Sequence, residues 1–240
     1  MSNRTKRRFG EKLDYLPPGI WPDERMLYGT NVNLQPLDTT RHGQALWDAF
    51  QAQGGEEVWD YLPYGPFATY DEFCVCYDEL NAGRDPHFFA IIPKSTGLPA
   101  GVASYLNIVP SNGSIEIGHI NLSPSLQRTT AATEALFLMM RHAMEDLGNR
   151  RLEWKCNALN AASRISAERL GFTFEGIFRQ HMVVKGHNRD SAWFSIIDKE
   201  WRSVRDAFFV WLREDNFDER GKQKKSLSSL TKKALEAKKT

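Results

Sequence analysis

Residues 115–143 read IEIGHINLSPSLQRTTAATEALFLMMRHA. The first part, Ile115 to Leu122, is a short apolar run that reads as a strand, and Ser123-Pro124-Ser125 marks a turn. After Gln127, the apolar residues Leu136, Met139, Met140, Ala143 and Leu147 recur at helical spacing until Gly148 stops the pattern. A strand that feeds directly into a helix leaves unpaired N–H groups and the positive end of a helix dipole at the turn, which is an anion site. A second constellation follows downstream: Asn157-x-x-Asn160-x-x-Ser163-Arg164, ending in Glu168-Arg169-Leu170-Gly171-Phe172.

The chain has 240 residues, a formal net charge of +1 and 41% hydrophobic residues. That fits one domain with extensions, or at most two small ones, with enough apolar side chains for a core. No window approaches the ~18 consecutive apolar residues of a membrane span. The basic residues near the start, Arg4, Lys6, Arg7 and Arg8, are not followed by an apolar segment of the secretory kind. Three cysteines form no disulfide framework, which favours a reducing compartment, and the expected location is the cytoplasm. Cys74 and Cys76 fall in a helix opened by Thr69 with Glu72 at the capping-box position. Residues two apart on a helix point to nearly opposite sides, so the two thiols do not chelate one ion. The six histidines form no ligand motif, and no metal is expected.

Along the chain, residues 1–28 read as an irregular, proline-marked arm. Residues 29–213 hold the ordered pattern, and 214–240 a Lys-rich tail, disordered or marginally helical. A first strand around Val32 and Leu34 precedes two helices, residues 40–53 and the one after Thr69, joined by the aromatic loop Val58–Phe67. Strands at 87–92, 101–107 and 114–122 form a meander, followed by the long helix, a strand at 151–156, a helix at 161–170, strands at 174–184 and 191–197, and a last helix from Asp198. Antiparallel strands come first and a βαβ crossover later. The fold class is therefore α/β (α+β), with a mixed, mostly antiparallel twisted sheet. Helices cover both faces, and one parallel junction joins 114–122 to 151–156. Ligands bind at the carboxyl ends of strands around such a junction.

In this order and spacing, Ile115-Glu116-Ile117-Gly118, the Gln127 turn, Asn160-x-x-Ser163 and Leu170-Gly171-Phe172 with Glu175-Gly176 resemble the GNAT superfamily of N-acetyltransferases. The nearest branch is the RimJ/RimL-like (ribosomal-protein N-terminal acetyltransferase-like) group, and the resemblance covers residues 29–200. It implies an acetyltransferase that uses acetyl-CoA as co-substrate and no metal. The family's pyrophosphate loop is usually Gln/Arg-x-x-Gly-x-Gly/Ala. Here Gln127-Arg128-Thr129-Thr130-Ala131-Ala132 keeps the first and last positions and places Thr130 at the first glycine. Main-chain N–H groups bind phosphate, so Thr130 leaves the physics in place and could cap the helix or donate its hydroxyl, while Arg128 adds charge. A well-capped helix without a ligand is the competing reading of the turn.

Glu116 falls where many GNAT enzymes carry the general base that deprotonates the acceptor ammonium. A carboxylate among Ile115, Ile117 and Gly118 is partly desolvated, which raises its pKa toward a useful range; a solvent-facing edge glutamate is the alternative. His119 is a second candidate. Alternation points it away from Glu116 unless a bulge near Gly118 re-aims it. The resemblance further implies that Ile120 to Leu122 pair with the pantetheine arm through backbone groups. It has Asn160 hydrogen-bonding a pantetheine amide with help from Ser163, although Asn160 also reads as a helix N-cap. Many relatives place a tyrosine three residues before Leu-Gly-Phe as the acid for the leaving thiolate; this chain has Ala167. Trp59, Asp60, Tyr61 and Tyr64 are placed at the acceptor cleft, where aromatics and a carboxylate suit a cationic amine; pinning of the loop to the core is the alternative.

The leading function is transfer of an acetyl group to a primary amine by direct attack in a ternary complex. The acceptor is a small-molecule amine or a peptide or protein N-terminus, and a homodimer fits the fold. A non-catalytic acyl-CoA-binding regulator is the alternative, permitted by Ala167 and Thr130. Nucleic-acid or ribosome association through the tails comes third. From Arg220 onward eight basic residues face one acid, but such runs are usually solvated.

Overall fold

The apolar runs form eight strands: β1 (Leu27–Tyr28), β2 (Val32–Pro36), β3 (His87–Pro93), β4 (Gly101–Val109), β5 (Ser114–Leu122), β6 (Arg151–Asn157), β7 (Thr173–Val184) and β8 (His187–Ile197). They make one sheet in the order β1-β2-β3-β4-β5-β6-β8-β7. Every neighbouring pair is antiparallel except β5 and β6, which is the parallel junction that the sequence order requires. The computed structural model describes residues 9–13 and 19–237. The basic cluster Arg4–Arg8 lies outside them.

Strand alternation divides the core into two layers. On one face Phe89, Ala103, Tyr105, Ile115, Ile117, Leu152, Trp154 and Phe194 pack against α3 (Thr130–Arg141) and α5 (Asp198–Trp211). On the other, Phe88, Ala90 and Val102 meet Leu46 and Phe50 of α1 (Thr39–Gln51) and Phe73 and Tyr77 of α2 (Tyr70–Asn81). Thr69 caps α2 by accepting from Glu72 N at 3.2 Å, and Glu72 Oε2 reaches back to Ala68 N at 3.0 Å. α3 is buried all round and even carries the buried carboxylate of Glu134. Thr30 N, Asn31 N and Asn31 Nδ2 satisfy that carboxylate at 2.6, 2.7 and 2.9 Å. α3 runs on through a π-helical turn, His142–Asp146, to Gly148 in left-handed backbone.

The C-terminal stretch departs from the expected tail. Residues Leu227–Glu236 form a helix, α6, which packs on α5 and on α4 (Ala161–Arg169). Leu227 is fully buried, and Thr231 Oγ1 donates to Arg169 O at 3.2 Å. Before it, Gln223 accepts from Trp211 Nε1 at 2.7 Å. The few apolar residues of this segment suffice because α4 and α5 offer a preformed apolar seat. Among the described residues, no helix is long and apolar enough to cross a membrane.

Candidate active site

The parallel pairing of β5 and β6 is short. Ser114, Ile115 and Glu116 face Arg151, Leu152 and Glu153, and the register ends there. Beyond it β5 stays paired to β4 and β6 stays paired to β8. The two strands therefore separate into a wedge. Among the described residues, the edge of β5 from Ile117 to Leu122 that faces β6 has no strand partner, which leaves backbone groups other than the Leu122 carbonyl for an extended ligand. Ile120 and Leu122 lie on this edge.

Glu116 sits where the wedge begins. It is 3% exposed, so it is not the solvent-facing edge residue of the alternative reading. Lys155 Nζ lies 2.7 Å from its Oε2, and Asn107 Nδ2 donates to the same oxygen at 2.7 Å. No hydrogen bond among the described residues reaches Oε1. Gly118 keeps space open on that side: a Cβ there would meet Leu106 Cδ2 at 2.8 Å and Glu116 Oε1 at 3.4 Å. Burial pushes the Glu116 pKa up, while the Lys155 ammonium and the Asn107 amide oppose the rise. Lys155 in turn lies 4.5 Å from the centre of the Trp193 ring.

Two bulges flank this carboxylate. Asn107 has φ 48°, where β4 gains a residue between Leu106 and Val109. His119 has φ 48°, where His119 and Ile120 together oppose Ala103. The second bulge cancels the alternation and turns His119 to the face that carries Glu116. There it stacks on Tyr64, with ring centres 5.6 Å apart, and Tyr64 Oη lies 3.1 Å from His119 Nδ1. Burial, reinforced by the positive Arg189, holds the His119 pKa down to about 4, so the imidazole is neutral near pH 7.

The aromatic loop divides between core and cleft. Trp59 is 4% exposed and packs on Phe50, Phe67 and Phe73. Its carbonyl accepts from Lys185 Nζ at 2.8 Å, which ties the loop to the β7–β8 turn. Tyr64 reaches His119, Tyr61 Oη approaches Leu159 O at 3.5 Å, and Asp60 faces solvent. The structure thus brings Tyr64 to the wedge and pins Trp59 beneath it.

At the turn before α3 the left-handed residue is Arg128, φ 62°. Thr130 is the first helical residue, so its side chain costs no backbone strain. The cap is Thr129 rather than Thr130: Thr129 Oγ1 accepts from Ala132 N at 3.0 Å and donates to Leu126 O at 2.7 Å. Gln127 Nε2 donates to Leu122 O at 3.0 Å, bracing the turn against β5. The N–H groups of Thr130 and Ala131 have no internal acceptor among the described residues, so the turn fits a pyrophosphate. On the other side of the wedge Asn160 does cap α4, accepting from Ser163 N at 3.0 Å. Its Nδ2 makes no internal bond among the described residues, so the cap leaves a donor for a ligand carbonyl. Ser163 Oγ accepts from Trp154 Nε1 at 3.0 Å. Ala167 is fully buried, so α4 presents no acid at that position.

Sequence reading missed Asn107, Lys155 and Arg189. Alternation in Arg151–Cys156 does put Arg151, Glu153 and Lys155 on one face. Only the Glu116–Glu153 register shows that Lys155 reaches back to Glu116.

Comparisons with known proteins match the chain to N-acetyltransferases. A GCN5-related N-acetyltransferase from Brucella melitensis is 44% identical, covers 91% of this chain and 99% of its own, and superposes with a TM-score of 0.88. The "Uncharacterized N-acetyltransferase p20" of Bacillus licheniformis is 26% identical over 60% of this chain and 83% of its own length. The "Putative ribosomal N-acetyltransferase YdaF" of Bacillus subtilis (strain 168) is 29% identical over 45% of this chain and 59% of its own. The family model of the acetyltransferase (GNAT) domain matches residues 32–173, from β2 to the start of β7, and so spans the wedge, the turn and α4. With that match over the elements that build the site, the chain belongs to the GNAT acetyltransferase family.

Proposed function

We propose that this acetyltransferase uses acetyl-CoA to acetylate the primary amine of a peptide or protein N-terminus, by direct attack within a ternary complex. The observation that carries the reading is Glu116: a buried carboxylate at the start of the wedge, with Oε2 held by Lys155 and Asn107 and Oε1 left free. The name of the Bacillus subtilis relative supports a protein N-terminus as acceptor. When bound, acetyl-CoA supplies an acyl carbonyl bonded to a good leaving group. The free N–H groups at Thr130 and Ala131, the Arg128 charge and the Asn160 amide hold its pyrophosphate and pantetheine, and the open edge of β5 pairs with the arm.

Glu116 Oε1 accepts a proton from the acceptor ammonium, directly or through one water. The nitrogen lone pair then forms the C–N bond, the C–S bond breaks, and the proton that the nitrogen sheds on becoming an amide ends on the departing thiolate. Lys155 and Asn107 fix the carboxylate so that Oε1 faces the acceptor. A backbone N–H of the β5 edge stabilises the oxyanion. His119, neutral, is a hydrogen-bonding partner of Tyr64 and not a source of positive charge.

The test combines binding and rate. Acetyl-CoA and desulfo-CoA should each raise the melting temperature, by about 2.7 kcal/mol of stability at 100 times Kd, and ATP should not. Glu116→Gln should lower kcat by about 10²- to 10⁴-fold with the same acetyl-CoA shift. A chain that binds both CoA species but turns over no amine, with the Glu116→Gln variant behaving as the wild type does, would instead be an acyl-CoA-binding regulator.

A further inference from the structure

Every carboxylate around the wedge has a partner. Glu116 is held by Lys155, and Glu153 and Glu175 by Arg151 at 2.6 and 2.7 Å. Asp85 accepts from Asn107 N and Ile108 N at 3.1 and 2.9 Å, and Asp190 accepts from Gln180 N at 2.8 Å. The cations are less fully committed: Arg128, at the turn before α3, has no side-chain partner among the described residues, and Arg164 Nε is buried without one. Lys185 bonds the Trp59 carbonyl and Arg164 the Ala158 carbonyl, at 2.8 and 3.3 Å. Arg189 makes no ion pair and no side-chain hydrogen bond among the described residues, and its Nε is buried without a partner. A buried guanidinium donor left unsatisfied is costly and calls for a ligand.

Its position says which ligand. Arg189 precedes Ser191 and Trp193 on β8 by two and four residues, so by alternation it shares their face. Trp193 is paired to Lys155 in the register of β6 and β8, and its ring carries the Lys155 cation. This is the face of Glu116. Arg189 is half-buried on that face, with its Nε shielded from solvent. With Glu116 neutralised by Lys155, Arg189 stands on this face as a positive charge without an ion-pair partner among the described residues.

We infer that Arg189 binds a carboxylate of the acceptor, and that the enzyme selects peptide N-termini carrying an acidic side chain on the first or second residue. The inference rests on the proposed N-terminal acetylation. Glu116 Oε1 takes the amine while Arg189, on the same face of the sheet, takes the anion. A guanidinium suits this because its planar fork of N–H donors matches a carboxylate.

The test uses three tetrapeptide amides that differ only at the second residue, Asp, Asn or Lys, with acetyl-CoA saturating. The wild-type chain should show the lowest KM for the Asp peptide. Arg189→Gln should raise that KM about tenfold or more, change the Asn peptide less than twofold, and keep kcat and the acetyl-CoA melting shift. Arg189→Glu should favour the Lys peptide. Equal use of all three peptides by wild type and Arg189→Gln overturns this inference and leaves the N-acetyltransferase reading standing. A loss of acetyl-CoA affinity in Arg189→Gln with peptide preference unchanged also overturns it, by assigning Arg189 to the co-substrate. Acetylation of none of the three, with acetyl-CoA bound, overturns both readings.

Discussion

Replacing Lys155 by methionine keeps an aliphatic chain over Trp193 and removes the charge that faces Glu116. The Glu116 side chain is 4% exposed and that of Lys155 16%, so water does not replace the lost partner. Removing one member of a buried pair costs about 3–5 kcal/mol while the remaining charge stays ionised. That condition makes the cost pH-dependent. Burial raises the Glu116 pKa above 4.5, and Lys155 is the largest influence opposing the rise, so the variant's carboxyl goes higher still. For an acid with a raised folded pKa, the folded state holds the extra proton. Stability is then complete below the unfolded value and falls as pH rises through the folded one. Lys155→Met should therefore lose little at pH 5 and about 3 kcal/mol at pH 8, roughly 6–12 °C in Tm for a chain of this size. Thermal melts by tryptophan fluorescence at the two pH values measure it. The double variant Glu116→Gln, Lys155→Met removes both charges of the pair and should recover at least half the loss at pH 8. Equal losses at pH 5 and pH 8, or a double variant worse than the sum of the singles, would refute the argument that Lys155 acts by compensating a buried carboxylate.

Other outcomes follow from the same geometry. His119 is held near 4 against 6.5, so the folded state resists its protonation and stability falls as pH drops from about 6.5 to 4, by about 3 kcal/mol. His119→Asn, which tolerates the left-handed backbone, should flatten that acid limb in pH-dependent melts. Thr130→Gly should cost only about 0.3–0.5 kcal/mol as a helix substitution without tightening acetyl-CoA, because the left-handed residue is Arg128; a tenfold gain in affinity by titration calorimetry would contradict this. Leu227→Ala should cost about 3 kcal/mol in urea unfolding, since Leu227 is fully buried; a loss under 1 kcal/mol would mean that α6 is not part of the cooperative unit.

The sequence alone carried the elements whose causes are local. Ile115–Leu122, the Gln127 turn and the helix to Gly148 are set by apolar periodicity and turn chemistry, as is the capping box Thr69–Glu72. The element order then requires one parallel junction, and that junction defines where the wedge must open. What it did not carry depends on register and on packing between distant segments. The bulge at Asn107 puts a non-glycine residue into left-handed backbone with no glycine to signal it, whereas Gly118 makes the one at His119 an open option in the sequence that only the register settles. The meeting of Lys155 with Glu116 follows only from the three-residue pairing of β5 with β6. Arg189 stands out only once the carboxylates near the wedge have found their partners. α6 has too few apolar residues to form from its own propensity, and it folds because α4 and α5 cover them. Short-range patterns determined the strands, the turn and the fold class. The tertiary structure decided which charges are buried together, because desolvation and ion pairing depend on neighbours that the sequence keeps far apart.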